Sequence, residues 1–337
     1  MPPKKKGDAQ KKDQEENFTE KLYKAYRRKL AELEITMPKS MEEKFLELRD
    51  EKEPGDLTEV IMWENVGSPG ARALADALRE TEYKLLRSMR FWKANIEDEG
   101  VRALCQFLQT NMTVNSLELM ECSISPLGCE FLGNLLGPQY RSPITVLKLD
   151  HNEFGDAGMV KLAQGLAENT VLQELSLTYC GIGPEGAEGL FETLIYVNCG
   201  LTTIDLQGNM LMNDGVCRVL HALKVNKSLT SLCLVDNQFG EDPKVTTKLA
   251  EVFHSNDTLL KLDLLHNGIY DDGARFIKNA LDEVDDTGAR KNCTLGFLRL
   301  PEKVSMELNE EIQEIIAKNK GKKKKGGKKG KKGKKKK

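Results

Sequence analysis

A single motif recurs along most of this chain at a nearly constant interval, and this limits the folds that the chain can adopt. One copy is ITVLKLDHNEFGDAG at residues 144–158, in which alternating leucines are followed by an Asn and then a Gly. The final Gly, replaced once by Pro, returns every 28 to 30 residues. Such a period predicts a solenoid, in which each repeat buries its apolar face against its neighbours. The repeating positions are Gly70, Gly100, Gly128, Gly158, Gly186, Gly215, Pro243 and Gly273.

Each repeat contains a predicted strand and a predicted helix. The alternating leucines are typical of a half-buried strand, because successive side chains of a strand point to opposite faces. The Gly is predicted to open a helix, and apolar residues follow it at helical spacing, as in Val101, Leu104 and Leu108. We therefore expect about nine strand-and-helix units between residues 57 and 300.

An Asn or a Cys occupies the position three residues after the last strand leucine in most repeats, with Ala94 there in an early one. The chain turns there, and the turn would leave buried backbone N–H and C=O groups without partners. An Asn side chain can bond both kinds of group, whereas Cys fills a similar volume with a weaker donor. We predict that these side chains form a structural ladder through the turns. Its members are Cys122, Asn152, Cys180, Asn209, Asn237 and Asn267.

The complete motif is L-x-x-L-x-L-x-x-N/C-x-[IF]-x-x-x-G, and over about residues 55–300 it resembles the ribonuclease-inhibitor-like leucine-rich repeats. The resemblance implies an α/β horseshoe, with parallel strands on the concave face and helices on the convex face. It is specific for the fold and nearly silent on function.

Five regions are predicted along the chain. Residues 1–16 are polar and are expected to be a disordered basic N-terminus. Residues 17–55 carry apolar residues at helical spacing and are predicted to cap the first repeat, with a partner-binding helix as the alternative. The solenoid of about nine repeats covers 56–303, a capping helix covers 304–317, and a disordered polylysine tail covers 318–337.

The net charge of −2 conceals a strong asymmetry. Residues 318–337 carry 14 lysines and no acid, and residues 1–12 carry five lysines and one aspartate, so residues 13–317 hold a charge of about −20. No apolar run reaches the ~20 residues of a membrane span, and no signal peptide is visible. The eight cysteines form no C-x-x-C pair and are expected to be reduced thiols.

The sequence contains little that indicates catalysis. A G-x-G-x-x-G string at residues 181–186 is one copy of the repeat's own turn rather than a phosphate loop, and no Walker A, H-E-x-x-H or G-x-S-x-G motif occurs. We predict that the protein is not an enzyme, with no catalytic, cofactor-binding or metal-binding residues and no small-molecule substrate.

The outward residues of the predicted strands are the candidate partner-binding positions, because they point to the concave face. They are acidic overall but include apolar members, which are common anchors of protein interfaces. A solvated face without a partner is the alternative. The candidates are Arg90, Trp92, Glu118, Met120, Lys148, Asp150, Thr178, Asp205, Gln207, Val235, Asp263 and Leu265, with Tyr179, Asp236 and His266 at the edge.

The lysine tail is the candidate polyanion-binding segment. It could contact nucleic acid, act as a nuclear localisation run or lie on an acidic protein surface such as the glutamate-rich tails of tubulin. It contains no aromatic residue and no Arg, which favours a non-specific tether. The candidate lysines are Lys322, Lys323, Lys324, Lys325, Lys328, Lys329, Lys331, Lys332, Lys334, Lys335, Lys336 and Lys337.

Repeats of this type, joined to Lys/Gly-rich ends and an MPPKKK start, are similar to leucine-rich repeat proteins of cilia and flagella. That similarity implies a structural component of the axoneme that binds a protein partner and contacts microtubules. The expected location is the cytoplasm, in the axoneme of a cilium or flagellum, and the nucleus is the location in the first alternative. In that alternative, the tail tethers a nuclear or nucleolar adaptor to nucleic acid. In the second, the concave face belongs to a GTPase-activating or inhibitor-type regulator.

Overall fold

The structure is a computed structural model that describes residues 17–50, 55–288 and 290–320. Strands and helices alternate regularly along it, after two helices at the start. The strands are β1 Glu59–Met62, β2 Ser88–Trp92, β3 Ser116–Met120, β4 Val146–Lys148, β5 Glu174–Ser176, β6 Thr203–Asp205, β7 Ser231–Cys233, β8 Lys261–Asp263 and β9 Phe297–Arg299. The helices are α1 Phe18–Glu32, α2 Lys39–Asp50, α3 Gly67–Glu80, α4 Glu97–Leu108, α5 Pro126–Leu136, α6 Gly155–Leu166, α7 Gly186–Ile195, α8 Met212–Leu223, α9 Pro243–Ser255, α10 Asp271–Asp282 and α11 Met306–Lys320.

The nine strands form one parallel sheet in chain order. Its register aligns a single buried apolar residue from every strand, so that one continuous row faces the helices. Neighbouring strands lie about 4.8 Å apart, whereas neighbouring helices need 8–10 Å, so the sheet takes the inside of the curve. The predicted leucine-rich repeat horseshoe is confirmed. The row consists of Val60, Met89, Leu117, Leu147, Leu175, Ile204, Leu232, Leu262 and Leu298.

The repeated Gly mostly lies inside the first turn of its helix rather than at the first residue. Helix α4, for example, begins at Glu97, three residues before Gly100. A Cβ atom at Gly100 would lie 2.8 Å from the Cβ of Ile96, the apolar residue that fills the preceding turn. The prediction that this Gly opens the helix is therefore corrected: the position is glycine because the turn residue packs against it.

The turn side chains bond the backbone of two successive repeats. The Oδ1 atom of Asn152 accepts from the N–H of Cys122 (2.9 Å) and of Ile124 (3.1 Å), and its Nδ2 donates to the carbonyls of Leu119 (2.7 Å) and Leu149 (2.8 Å). Asn209 and Asn267 make the same kinds of bond to their own neighbours.

Cysteines on the ladder contribute only a weak donor. The thiol of Cys122 donates to the carbonyl of Met120 at 3.3 Å, and that of Cys180 donates to the carbonyl of Leu149 at 3.3 Å. Asn237 is irregular, since its Nδ2 bonds two carbonyls while its buried Oδ1 has no partner within the described part of the chain.

The N-terminal end of the solenoid is covered by two helices. Helix α1 packs against α3, and α2 packs against β1. Thr19 of α1 forms a buried polar cluster with Tyr83 and with the backbone N–H of Leu57. The predicted disordered segment 1–16 lies outside the described residues.

The C-terminal end of the solenoid is covered by α11, which packs against α10 and β9. This helix continues to Lys320, so the predicted tail boundary at residue 318 is corrected. The helix continues because Asn319 is 4% exposed and donates from Nδ2 to the carbonyl of Leu295 at 2.9 Å. The candidate lysines, which begin at Lys322, lie outside the described residues.

Among the described residues, no helix combines the length and the apolar character that a membrane crossing requires. All eight cysteines are free thiols, and five of them are buried in the solenoid. Burial raises the pKa of Cys105, Cys122 and Cys180 to about 12, which keeps these thiols protonated and unreactive near neutral pH.

Candidate protein-binding face

The concave face is lined by rows of side chains that run across the sheet from strand to strand. The central row brings Arg90, Glu118 and Lys148 together in register, and further along it come Asp205 and Asp263. The sequence candidates therefore form one continuous surface, because every strand places the equivalent residue beside its neighbour.

Most charges of the central row are paired within the face. The guanidinium of Arg90 donates from Nε and Nη2 to the carboxylate of Glu118 at 2.7 and 3.1 Å. Lys148 lies 3.5 Å from Glu174, and Arg299 pairs with Asp263. Burial is the largest influence on the pKa of Glu118 and raises it, but the hydrogen bond from Arg90 and the positive charges of Lys148 and Arg90 together lower it by more, so the net pKa is lowered and the pair stays ionised.

The unpaired aspartates of the face bond to nearby donors instead. Asp150 accepts from the Ser176 hydroxyl at 2.6 Å and from the N–H of Thr178 at 2.8 Å. Asp205 accepts from the N–H of Gln207 at 3.0 Å. These contacts orient the carboxylates and leave them partly open to a partner, since both residues are half-buried.

Val235 does not line the open surface, because it is only 3% exposed. Gln207 and Leu265 are the equivalent residues of the two adjacent repeats, and the short Val235 side chain lies between them. Backbone hydrogen bonds from Gly208 to Val235 and from Asp236 to Leu265 hold the three turns together. We correct the prediction that Val235 contacts a partner. Gln207 and Leu265 are half-buried and remain on the face.

An aromatic patch, defined here as Trp63, Trp92 and Met120, occupies the β1–β3 end of the face. Trp92 is in register with Met120 on the neighbouring strand. Met62 is in register with Phe91, so Trp63, the next residue, takes the position equivalent to Trp92. The two tryptophans are 56% and 51% exposed. Lys93 lies over the ring of Trp92 at 5.5 Å and pairs with Glu121 at 3.3 Å.

Trp63 is absent from the residues predicted for this face, although the sequence holds a signal for it. The dipeptide Met62-Trp63 repeats the pattern of Phe91-Trp92 one repeat earlier, with the first residue buried and the second exposed. The irregular first unit concealed this equivalence.

A second aromatic contact lies where the strands lead into the turns. The rings of His151 and Tyr179 stack with centroids 4.8 Å apart and planes 12° from parallel. Tyr179 also covers Gly208, whose φ of +71° and lack of a side chain make room for the ring. Gln207 donates to the Tyr179 hydroxyl at 3.3 Å, which holds the ring in place.

The other two edge candidates, Asp236 and His266, lie at the same turn position and are exposed. His266 is 3.0 Å from Glu302. In the described ranges, no three His, Cys, Asp or Glu side chains are grouped so that they could hold a metal ion. The chemistry that the face offers is thus contact through aromatic, amide and carboxylate groups.

Comparison with known proteins agrees with this architecture. The family model described as Leucine Rich repeat matches residues 142–163, 168–191 and 255–278. The chain is 31% identical over 195 residues to NACHT, LRR and PYD domains-containing protein 14 of Mus musculus, covering 56% of this chain and 19% of that protein. It is 30% identical over 166 residues to the ribonuclease inhibitor of Mus musculus, covering 48% and 35%.

Among solved structures, the TLR13–ssRNA13 complex matches with a TM-score of 0.40 and 18% identity, over 73% of this chain and 28% of that chain. The chain spans about a fifth to a third of the length of the two curated relatives described above. The chain therefore contains leucine-rich repeats of the ribonuclease-inhibitor type and is homologous to these proteins over the matched residues.

Proposed function

We propose that this chain is a non-enzymatic scaffold that binds a protein partner on its concave face. The observation that carries the proposal is the aromatic patch, in which Trp63, directly after β1, and Trp92, the last residue of β2, each expose about half of their surface. Tryptophan is enriched among the residues that dominate binding energy in protein interfaces. Covering the exposed ~100 Å² of each ring would contribute about 2–3 kcal/mol per tryptophan.

The charged part of the face supports recognition rather than strong attraction. Arg90, Lys148 and Arg299 already pair with carboxylates, so a partner has to match a pattern of fixed charged and hydrogen-bonding groups. Such an arrangement adds specificity more than affinity.

We further propose that the protein is a structural component of the ciliary or flagellar axoneme, and that its lysine tail contacts carboxylate-rich surfaces such as those of tubulin. The sequence supports this with a tail whose only charged residues are lysines and with a body of opposite charge. Lysine without arginine or aromatic side chains suits a carboxylate-rich surface that is recognised by charge alone.

The concave-face proposal is tested by co-sedimentation with purified axonemal doublets in about 0.3 M salt, which screens the contribution of the tail. Trp92→Ala is expected to weaken binding at least about tenfold, following the energy of burying one ring. Phe276→Ala is the matched control, because Phe276 lies on helix α10 and is 45% exposed. Equal binding by both variants would remove the aromatic patch from the proposal.

The tail proposal is tested with microtubules whose acidic tubulin tails are intact or enzymatically removed. The full chain is expected to bind only the intact microtubules at low salt, and residues 1–320 alone are expected to bind neither. A tagged protein found exclusively in the nucleus of a ciliated cell would contradict the axonemal assignment and favour the nucleic-acid alternative.

A further inference from the structure

Three exposed apolar side chains lie on neighbouring turns where the middle strands lead into their helices. Tyr179 follows β5, and Met210 and Met212 follow β6. They are 40%, 45% and 41% exposed, whereas Leu211, between the two methionines, is fully buried. We call these three exposed residues the methionine patch, and we call this side of the sheet the strand-to-helix edge.

The structure holds the methionine patch in place across three repeats. The ring of Tyr179 covers the glycine that lies two residues before Met210. The N–H of Met210 donates to the carbonyl of Ile182 at 2.8 Å, and that of Met212 donates to the carbonyl of Asn237 at 3.0 Å. Methionine is unbranched and adapts its shape to the apolar groups of a partner, so an exposed patch of this kind is suited to binding.

The strand-to-helix edge around the patch is acidic and contains no Lys or Arg. Nine acidic residues lie there, and within the described part of the chain only Glu188 of these nine forms an ion pair, with Arg218 at 3.2 Å. Lys248, on the neighbouring helix α9, is engaged with Glu251 at 2.8 Å. The acidic residues number three, two, one and three in the segments 149–158, 177–189, 206–215 and 234–242.

Four of these carboxylates are exposed and surround the methionine patch. Glu153 lies in the turn that donates an N–H to the carbonyl of Cys180, next to the patch tyrosine. Glu185 and Asp214 line one hollow between α7 and α8. Asp236 is adjacent to the residue that accepts from the second patch methionine. The apolar groups therefore lie inside a ring of negative charge.

We propose that the methionine patch and the carboxylates around it bind a basic amphipathic helix of a partner protein. The apolar face of such a helix covers the patch, and its lysine or arginine residues meet the carboxylates. Three repeat spacings are about 14 Å along the sheet and about 24–30 Å along the helices. A helix of about 14 residues is about 21 Å long, so one short helix is long enough to contact all four turns.

The chemistry of the strand-to-helix edge selects this occupant over others. Its carboxylates repel a nucleic acid or an anionic membrane surface. The lysine segment of this chain at 321–337 contains only lysine and glycine, so it offers no apolar group to the patch. The site lies two or more strands away from the aromatic patch at β1–β3, and it is independent of the function proposed above.

The test measures the binding of two labelled peptides to the full chain by fluorescence anisotropy. The first peptide has about 14 residues of leucine and lysine, placed so that the leucines form one face of a helix. The second has the same lysines with alanine in place of leucine, which keeps the helical preference but removes the large apolar face. The leucine peptide is expected to bind at least about tenfold more tightly, because only its leucines cover the patch.

The methionines are tested by changing both to glutamine, which keeps the length of the side chain. Met210→Gln with Met212→Gln is expected to weaken binding of the leucine peptide at least about tenfold and to leave the alanine peptide unchanged. Met210→Leu with Met212→Leu should stay within about twofold of the unmodified chain. Met112→Gln is the matched control, because Met112 is 58% exposed in the loop from α4 to β3, at the opposite edge, and no change is expected.

The charges are tested by removing the four exposed carboxylates together. This variant is expected to weaken binding of both peptides and to reduce its dependence on salt. Thermal unfolding of every variant is expected to match that of the unmodified chain, because all the altered side chains are exposed. The four changes are Glu153→Gln, Glu185→Gln, Asp214→Asn and Asp236→Asn.

Three outcomes overturn the proposal. If the leucine and alanine peptides bind equally well, the edge takes a segment by charge alone, such as the lysine tail of this chain. If Trp92→Ala abolishes binding of the leucine peptide while the methionine variant retains it, the helix binds the concave face instead. If the leucine peptide does not bind the unmodified chain, the methionine patch is not a docking site.

Discussion

Asn209 makes four hydrogen bonds of 3.1 Å or shorter from one buried amide group, and replacing it with Ala measures what the turn ladder contributes to stability. Its Oδ1 accepts from the N–H of Cys180 (3.1 Å) and of Ile182 (3.0 Å), and its Nδ2 donates to the carbonyls of Leu177 (2.8 Å) and Leu206 (2.9 Å). The side chain is 1% exposed, so Asn209→Ala leaves buried groups without these partners.

The expected cost follows from those four bonds. At a net ~0.5–1.5 kcal/mol each, their loss lowers the free energy of unfolding by about 4 kcal/mol. For a domain of this size, that corresponds to a fall in Tm of about 10 °C. Urea unfolding followed by circular dichroism measures the free energy, and differential scanning calorimetry measures the Tm.

Cys180→Ala is the matched control, because Cys180 occupies the equivalent ladder position one repeat earlier. Its thiol donates only to the carbonyls of Leu149 (3.3 Å) and Thr178 (3.5 Å), and a thiol is a weak donor. We expect a loss of about 1 kcal/mol from the lost thiol contacts and a small cavity. Equal losses for Asn209→Ala and Cys180→Ala would refute the reasoning, since the amide would then contribute nothing beyond its volume.

Three other changes test separate features of the structure. Gly208→Ala is expected to lower stability by about 1–3 kcal/mol, because an added Cβ overlaps the Tyr179 ring at a positive φ; unchanged thermal unfolding contradicts this. Removing residues 321–337 should leave the Tm almost unchanged, whereas removing 318–337 should lower it, because the longer deletion takes a buried asparagine. The pKa of Glu118 is lowered from 4.5 in the folded protein. Its ion pair with Arg90 therefore stabilises the fold above pH 4.5, and this stability is lost as the pH falls through the folded pKa. Glu118→Gln should therefore flatten the loss of unfolding free energy as the pH falls from neutral to below 4.5, and an unchanged pH dependence would show that the pair contributes nothing.

The repeat made the fold predictable because its key residues act locally. Leu147 is buried by its place in the alternating strand pattern, and Asn152 by its place three residues after the last strand leucine. Equivalent positions of the repeats have the same environment, so the burial pattern predicted for one repeat applies along the whole solenoid. Most residues of the concave face, including Arg90 and Trp92, were predictable in the same way, because strand residues that do not point inward point outward.

The errors arose where burial depends on residues far away in the chain. Val235 has the spacing of an outward residue, yet its neighbours from adjacent repeats cover it. Residues 318–320 have the composition of the tail, yet Asn319 is buried against a loop about 25 residues earlier. Helix starts also shifted, since the Gly of each repeat is required by packing against the turn residue rather than by the first helical position.

The sequence by itself determined the number of repeats, the inward and outward positions of each strand and the opposite charges of body and tail. The tertiary structure alone decided which of the face charges remain available, because pairs such as Arg90 with Glu118 join residues 28 positions apart. The physical reason is that stacking brings equivalent positions of different repeats within contact distance, and only that arrangement decides which groups satisfy each other and which face a partner.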